Sequence, residues 1–463
     1  MRNKLAVSIG VTLMVVCFAP ACPGQSFVRT EFISLESALP VLKEMEDALP
    51  PDLKAAGPLD ASHWSAWVQL KDREVRNRLI RGEEDTLVNL LRFGVTFTKE
   101  DRIDDEFLVR YGPSSLVNSF AENRANDLIH AWMAPNPSAG LVEMRTFIEK
   151  HGHSLRTAQE RVETKKYLLD SLARLRDEYL KYKSQPKDER RFQMFQDRGI
   201  SLDTNLWPDY LLDAAFRSLL EKGMLKPGGV RRIAIVGPGL DFANKEAGND
   251  FYPPQTIQPY AVLDSLIRLG IANPSTVELD TLDISENVNV HVARIRRAAA
   301  QGRSYILQLP WNTERPMSEE YRAHFVEYWQ KLGDKIGQPV APIPVPRAAA
   351  STRTRAVKVR PDMVTRVIPL DVDVVYQRLS WPADRAYNLV IGTNIFLYYG
   401  GFEQCLARAN LSAMLQPGGF LISNDKLSDK VTSELKDVLD VPVVSSEQPL
   451  VQDFAFCYTS AHK

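Results

Sequence analysis

Arg232-Ile-Ala-Ile-Val-Gly-Pro-Gly-Leu240, followed by Asp241, is an apolar, β-branched run that breaks into two glycines around a proline. A glycine has no Cβ, so Gly237 and Gly239 let the main chain turn sharply and come close to a ligand at a strand's carboxyl end. Pro238 fixes the backbone between them. The same pattern also makes ordinary strand-to-helix turns, so the surrounding sequence decides what it means.

Downstream of this stretch, short apolar runs alternate with amphipathic ones, the pattern of a parallel sheet covered by helices on both faces. Strands are expected near 232–236, 276–283, 365–370, 387–392 and 418–423, with a closing pair near 441–446 and 453–459. Helices are expected near 256–269, 286–300, 320–336, 402–415 and 427–438. The gap between the second and third strands is too long for a simple crossover. Residues 301–362 therefore read as an insertion holding Tyr305-Ile-Leu-Gln-Leu-Pro310, one helix and the Pro-rich stretch Pro339 to Pro346.

Upstream, the period is helical from Phe27 to Glu221: Leu35 to Leu49, Trp64 to Ile80, Thr86 to Phe93, Leu116 to Trp132, Ser154 to Lys183, and Trp207 to Lys222. In the long stretch before Lys183, Val162, Tyr167, Leu168, Leu172, Leu175 and Tyr179 form one apolar stripe, as a bundle helix requires. Pro50-Pro51 and Pro135-Asn136-Pro137 punctuate the region, and Lys181 to Arg191 is a charged connector. The expected organisation is a helical unit over 27–221 and a doubly wound α/β unit over 222–463, which agrees with a length of 463 residues.

A 44% apolar, 25% charged composition is that of an ordinary globular protein, and 57 Lys and Arg nearly balance 58 Asp and Glu. No global field favours nucleic acid or anionic lipid. Arg2 and Lys4, then an apolar run from Leu5 to Phe18, then Ala19-Pro20-Ala21, have the order of a secretory signal over 1–21. The run is too short to span a membrane as a helix, so no transmembrane span is expected in the mature chain. Export to the periplasm or outside the cell follows from this segment. Cleavage would leave Cys22 first and raises lipid anchoring, although Ala-Pro-Ala is a poor match to a lipoprotein signal. A misassigned start codon would give the same tail to a cytoplasmic chain. Cys405 and Cys457 lie in apolar segments and read as core. No Cys and His spacing matches a metal site. His151, His153 and His324 read as surface or boundary residues, and Arg294, Arg296 and Arg297 as a solvated helix face.

Two further elements join the glycine loop. Val277-Glu-Leu-Asp-Thr-Leu-Asp283 delivers an acid to the end of the second strand, where a carboxylate can accept hydrogen bonds from ribose hydroxyls or can cap the next helix. Tyr387-Asn-Leu-Val-Ile-Gly-Thr-Asn-Ile-Phe-Leu-Tyr-Tyr399 is a fourth strand that emits a polar and aromatic loop. Leu415-Gln-Pro-Gly-Gly-Phe-Leu-Ile-Ser423 turns a helix into the fifth strand.

Together these residues resemble the Rossmann-like, class I S-adenosylmethionine-dependent methyltransferases over about residues 222–460. Gln258-Pro259-Tyr260 and Thr393-Asn394-Ile-Phe-Leu-Tyr398 look like the corresponding segments of the chemotaxis-receptor type. The resemblance implies a seven-stranded, mostly parallel methyltransferase-like sheet, S-adenosylmethionine as cofactor, and methyl transfer to an unidentified acceptor. It implies that Gly237, Pro238 and Gly239 make room for the methionine moiety and that Asp283 binds the ribose. Asp371 or Val372 would flank the adenine, and Asn394 with Phe396 would border the transferable methyl. Methyl transfer from a sulfonium needs alignment more than acid and base groups.

Departures from the family pattern are equally concrete. The family's third glycine is replaced by Asp241 or by nothing close, no acid precedes the loop, and Asn388 stands where an Asp commonly follows the aromatic. Residues 242–255 intervene before the first helix, and Asn244 to Pro254 reads as either a lid or a surface turn. Two other readings follow. One is an exported, non-catalytic binding or structural protein that keeps the fold, since the methyl donor is made in the cytoplasm. The other is a dinucleotide oxidoreductase, which fits the glycine loop but not Pro417-Gly418-Gly419.

Overall fold

The structure is a computed structural model and describes residues 29–461 except 56–58, 111–115, 185–194, 196–198, 202–203, 242–249, 383–384, 432–434 and 448–449. The signal-like segment with Cys17 and Cys22, most of the charged connector after Lys183, and the first part of the Asn244 to Pro254 loop lie outside the described residues.

The first half is helical: α1 (Leu35–Glu44), α2 (Pro51–Ala55), α3 (Ala61–Phe93), α4 (Asp105–Arg110), α5 (Leu116–Met133), α6 (Ala139–Lys150), α7 (Ala158–Lys183) and α8 (Leu206–Glu221). The second half adds α9 (Gln258–Arg268), α10 (Glu286–Ala300), α11 (Glu319–Lys331), α12 (Pro361–Val364) and α13 (Gly401–Met414). The strands are β1 (Arg29–Phe32), β2 (Arg232–Val236), β3 (Glu278–Asp283), β4 (Tyr305–Asn312), β5 (Gly337–Val340) and β6 (Thr352–Val359). They continue as β7 (Val367–Asp371), β8 (Gln377–Ser380), β9 (Tyr387–Gly392), β10 (Leu415–Ser423), β11 (Leu435–Glu447) and β12 (Leu450–Ser460).

Seven strands form one sheet in the order β11-β12-β10-β9-β2-β3-β7. The pairs from β10 to β7 are parallel, and β12 runs antiparallel to both β10 and β11. This is the doubly wound, methyltransferase-like sheet expected from the sequence, preceded by an α-helical region. Because β2 lies between β9 and β3, the glycine loop, Asp283 and the strand-four exit all emerge at one edge.

The two stretches read as separate helices, Trp64 to Ile80 and Thr86 to Phe93, are one 33-residue helix, α3. Asp60 caps its start by accepting from the N–H groups of Ser62 and His63. Its two halves serve different cores. Leu87, Leu90 and Leu91 pack with Leu128 and Trp132 of α5 and Leu168 and Leu172 of α7. Trp64, Val68, Val75 and Leu79 instead join Ala234, Val390, Leu406 and Leu421 under one face of the sheet. On the opposite face Leu212, Phe216 and Leu219 of α8 pack with Ile233, Leu263 and Leu389. Burial of whole Leu or Phe side chains at about 1.5–3 kcal/mol each makes both faces strongly cohesive.

One helix expectation fails. Residues 427–438 were expected to be helical, but Leu427 to Val431 form no helix and Leu435 opens the 13-residue strand β11. Val431, Leu435, Val438 and Leu439 have helical spacing, yet β11 shifts register against β12 between Asp437 and Leu439 and again between Val444 and Ser446. Each irregularity breaks the alternation that marks a strand in sequence. The insertion also contains more than its one helix: β4, β6 and β5 form a separate three-stranded antiparallel sheet. The small pair of β1 with β8 carried no sequence signal. Among the described residues no helix is long and apolar enough to cross a membrane.

Candidate functional site

At the end of β2 the main chain turns through Gly237 and Gly239, with φ of 60° and 66°, a region that side-chain-bearing residues avoid. The Gly237 N–H donates to the Leu282 carbonyl at 2.9 Å and ties the turn to β3. The Asp283 carboxylate accepts from the Ser285 N–H at 2.8 Å and from the Gly239 N–H. Ser285, whose hydroxyl accepts from the Val288 N–H, is the cap of α10. Asp283 is therefore turned to the glycine loop. It is 6% exposed, and burial pushes its carboxyl up to about 7 against the pull of these backbone donors.

Gly237, Gly239, Leu282, Asp283, Ile284 and Val372 border a common cavity, completed by Leu79, Ile200, Ser201, Val374, Ile395, Tyr398 and Tyr399. Gly237, Gly239 and Asp283, singled out in the sequence, thus come together, with Val372 beside them. Pro238, Asp371, Asn394 and Phe396 are not on its wall. The Asp371 side chain is 61% exposed and ion-paired to Arg76 at 2.8 Å. Asn394, in the left-handed region at φ 58°, is exposed and exchanges two 2.7 Å hydrogen bonds with Asn424. Phe396 is fully buried, and a Cβ on Gly392 would lie 2.7 Å from its ring. These two residues frame the strand-four exit turn, while Ile395, Tyr398 and Tyr399 face the cavity.

The residues that sequence reasoning missed are those that close the mouth. Leu79 of α3 enters the cavity, and Arg76, one turn earlier, reaches Asp371, Asp72 at 3.1 Å and the Ile284 carbonyl at 3.4 Å. Segment 199–201 crosses α3 with almost no separation: a Cβ on Gly82 would lie 1.7 Å from the Ile200 carbonyl oxygen, and one on Gly199 2.3 Å from the Gly82 nitrogen. The crossing seats Ile200 in the mouth, and the Ser201 N–H donates to the Tyr398 hydroxyl at 3.2 Å. The one available signal was Gly82, a glycine inside a helical pattern, which usually has a packing reason.

The departures from the family pattern have structural roles. Asp241 is buried and accepts from the Tyr252 hydroxyl at 2.9 Å and the Gln255 amide at 3.0 Å, and its main chain bridges to Gln255. This bridge joins the residue that ends the glycine loop to the approach to α9. Asp250 holds the returning loop to the helical region by accepting from the N–H groups of Val95 and Thr96 at 2.9 and 3.0 Å. Asn388 accepts from the N–H groups of Arg231 and Arg232, both at 2.8 Å, and pins the start of β2. Among the described residues no cluster of His, Cys, Asp and Glu could hold a metal ion.

The backbone at the mouth turns through two glycines beside a buried carboxylate, but the space there is small. The cavity holds about 50 Å³, whereas pockets for cofactor-sized ligands run to roughly 300–1,000 Å³. A Cβ on Gly237 would lie 2.2 Å from Ile395 Cδ1, so the room that this glycine leaves is taken by the protein's own side chain. S-adenosylmethionine does not fit this conformation.

No family model and no curated protein matches the chain. Among solved structures it is similar to the N-methyltransferase NodS from Bradyrhizobium japonicum WM9 in complex with S-adenosyl-L-homocysteine. The identity is 11%, with 62% of this chain and 99% of that one covered, and the TM-score is 0.27. It is also similar to the glycopeptide N-methyltransferase MtfA, at 12% identity over 55% of this chain and 76% of that one, with a TM-score of 0.22. A third is TrmN from Thermus thermophilus, at 10% identity over 54% and 52%, with a TM-score of 0.25. Two of these three structures are described as N-methyltransferases, and the chemotaxis-receptor type is not among the three.

Proposed function

We propose that the protein is an S-adenosylmethionine-dependent methyltransferase whose donor site is closed in this conformation by helix α3 and segment 199–201. One observation carries the reading: two left-handed glycines at the end of β2, one of them donating its N–H to a buried carboxylate at the end of β3. A buried carboxyl costs free energy, and such costs gather where a ligand is bound, while glycine lets the main chain come close to that ligand. Donor entry then requires Leu79 and Ile200 to leave the mouth. The acceptor is open at this level, and export through residues 1–21 remains a separate proposal.

A second reading is favoured by the filled space itself. An exported, non-catalytic protein that keeps the methyltransferase fold would need the glycines only to seat Ile395 and the crossing of segment 199–201 over α3. Calorimetric titration of the purified chain with S-adenosylmethionine and S-adenosylhomocysteine separates the two. Micromolar binding supports the methyltransferase, and no heat at millimolar ligand rejects it in favour of the scaffold. Locating a tagged full-length chain decides export.

A further inference from the structure

A second cavity, of about 260 Å³, shares Tyr398 and Tyr399 with the glycine-loop cavity. Lys71, Glu74, Val75 and Arg78 of α3 line one side of it, and Tyr376, Gly400 and Glu403 the other. Most of its charges are already committed. Lys71 Nζ lies 2.8 Å from Asp52 and 2.9 Å from Glu74, and Arg78 donates to the carbonyls of Tyr398 and Phe195 at 3.1 and 3.0 Å. Lys71 is thus neutralised twice over, and the Arg78 guanidinium is turned towards main-chain oxygens.

Glu403 differs from these. It stands in the first turn of α13, half-buried, and among the described residues its carboxylate makes no ion pair within 4 Å and no hydrogen bond to another side chain. Gly400 gives it space, since a Cβ there would lie 2.7 Å from Glu403 Oε2. Burial pushes its carboxyl above the usual range, with Lys71 and Arg78 pulling the other way. A carboxylate drawn out of water into a cavity with three tyrosines, and given no cation of its own, is a receptor for positive charge.

We propose that this cavity binds a small molecule carrying an ammonium group, held by charge at Glu403 and by the rings of Tyr376, Tyr398 and Tyr399. A neutral or anionic ligand would add no cation to the partial pull of Lys71, Arg78 and Glu403's own backbone N–H, whereas an ammonium supplies charge-assisted hydrogen bonds and attraction to aromatic faces together. The binding does not depend on the methyl donor. Its role as the seat of the acceptor does rest on the methyltransferase reading, because the wall of Tyr398 and Tyr399 is what separates this cavity from the glycine loop.

The experiment compares n-butylammonium with 1-butanol, a neutral molecule of nearly the same shape, by NMR titration of the full chain. The expected result is at least tenfold tighter binding of the amine, with Glu403→Gln erasing that preference while its thermal midpoint stays close to that of the wild type. Equal binding of the two probes by the wild type overturns the proposal, whether or not the variant folds, and so does a preference that survives in Glu403→Gln. A parallel titration with S-adenosylmethionine keeps the two claims apart. Amine preference without donor binding supports the cavity and removes its acceptor role, and donor binding without amine preference overturns the cavity assignment alone.

Discussion

Arg76 and Asp371 form a 2.8 Å ion pair between the middle of α3 and the end of β7, across the edge where the strands of the sheet open. The pair holds one turn of α3 over the mouth, and Leu79 fills what lies beneath it. Leu79→Ala is expected to raise affinity for S-adenosylhomocysteine at least tenfold and to cost roughly 2–5 kcal/mol of stability. Arg76→Ala should act in the same direction on affinity but cost roughly 1–3 kcal/mol of stability, because it also leaves the buried Asp72 without its cation. Calorimetry and chemical denaturation read both quantities. Unchanged affinity in both variants would show that α3 is not the barrier.

Gly82→Ala tests the crossing that seats Ile200. The new Cβ would meet the Ile200 carbonyl oxygen at 1.7 Å, so one backbone must move. A loss of roughly 1–3 kcal/mol is expected from overpacking, together with faster proteolytic cleavage near residue 200. An unchanged digestion pattern would count against the crossing.

Gly239→Val tests the cradle. At φ 66° a β-branched residue is strained by roughly 1–3 kcal/mol, and its N–H can no longer meet Asp283 without that strain. The expected outcome is a folded chain with a lowered melting temperature and no measurable affinity for the donor. Retained donor affinity would remove this loop from the site.

Asp209 of α8 is 2% exposed, its oxygens make no well-formed hydrogen bond among the described residues, and burial pushes its carboxyl up to about 7 against a weak pull from Gln258. A carboxyl raised from 3.8 binds its proton more tightly in the folded chain, so its contribution to stability is complete below about pH 4 and is lost as pH rises through 7. Asp209→Asn is therefore expected to be near neutral at pH 4 and to stabilise by roughly 1–4 kcal/mol at pH 8. Urea denaturation of both chains at the two pH values checks the sign. His291, lowered to about 4 by burial, has the opposite dependence, losing stability as pH falls from about 6.5 towards 4, and cancels in the comparison.

Arg124 of α5 is fully buried and donates to the carbonyls of Leu91, Gly94, Glu100 and Asp101 between 2.6 and 3.1 Å. A lysine cannot reproduce this fork of donors, so Arg124→Lys is expected to cost roughly 2–4 kcal/mol. A loss under 0.5 kcal/mol in guanidinium denaturation would contradict this account of the loop after α3.

Much of the sheet was legible because each parallel strand buried on both faces is a short apolar run bounded by turn residues. Tyr387 to Gly392 and Arg232 to Val236 match β9 and β2 residue for residue. The stretch 441–446 of β11 was legible as a strand, but its first part, 435–440, was not, because the register shift against β12 between Asp437 and Leu439 breaks the alternation there. In the site, Gly237, Gly239 and Asp283 could be read because their conformational and chemical demands are local. Leu79, Arg76 and Ile200 could not, because nothing in a helix pattern or a connector says which distant surface it will cover.

The sequence by itself determined the doubly wound sheet, the helical region before it, and the glycine turn facing an acid on the adjacent strand, since periodicity and turn chemistry act over a few residues. Tertiary structure alone decided that α3 divides its length between two cores and that a close approach of Gly82 and Gly199 brings Ile200 over the mouth. The reason is physical: packing between elements far apart in the chain depends on shape and on close backbone contact, and neither leaves a period in the sequence.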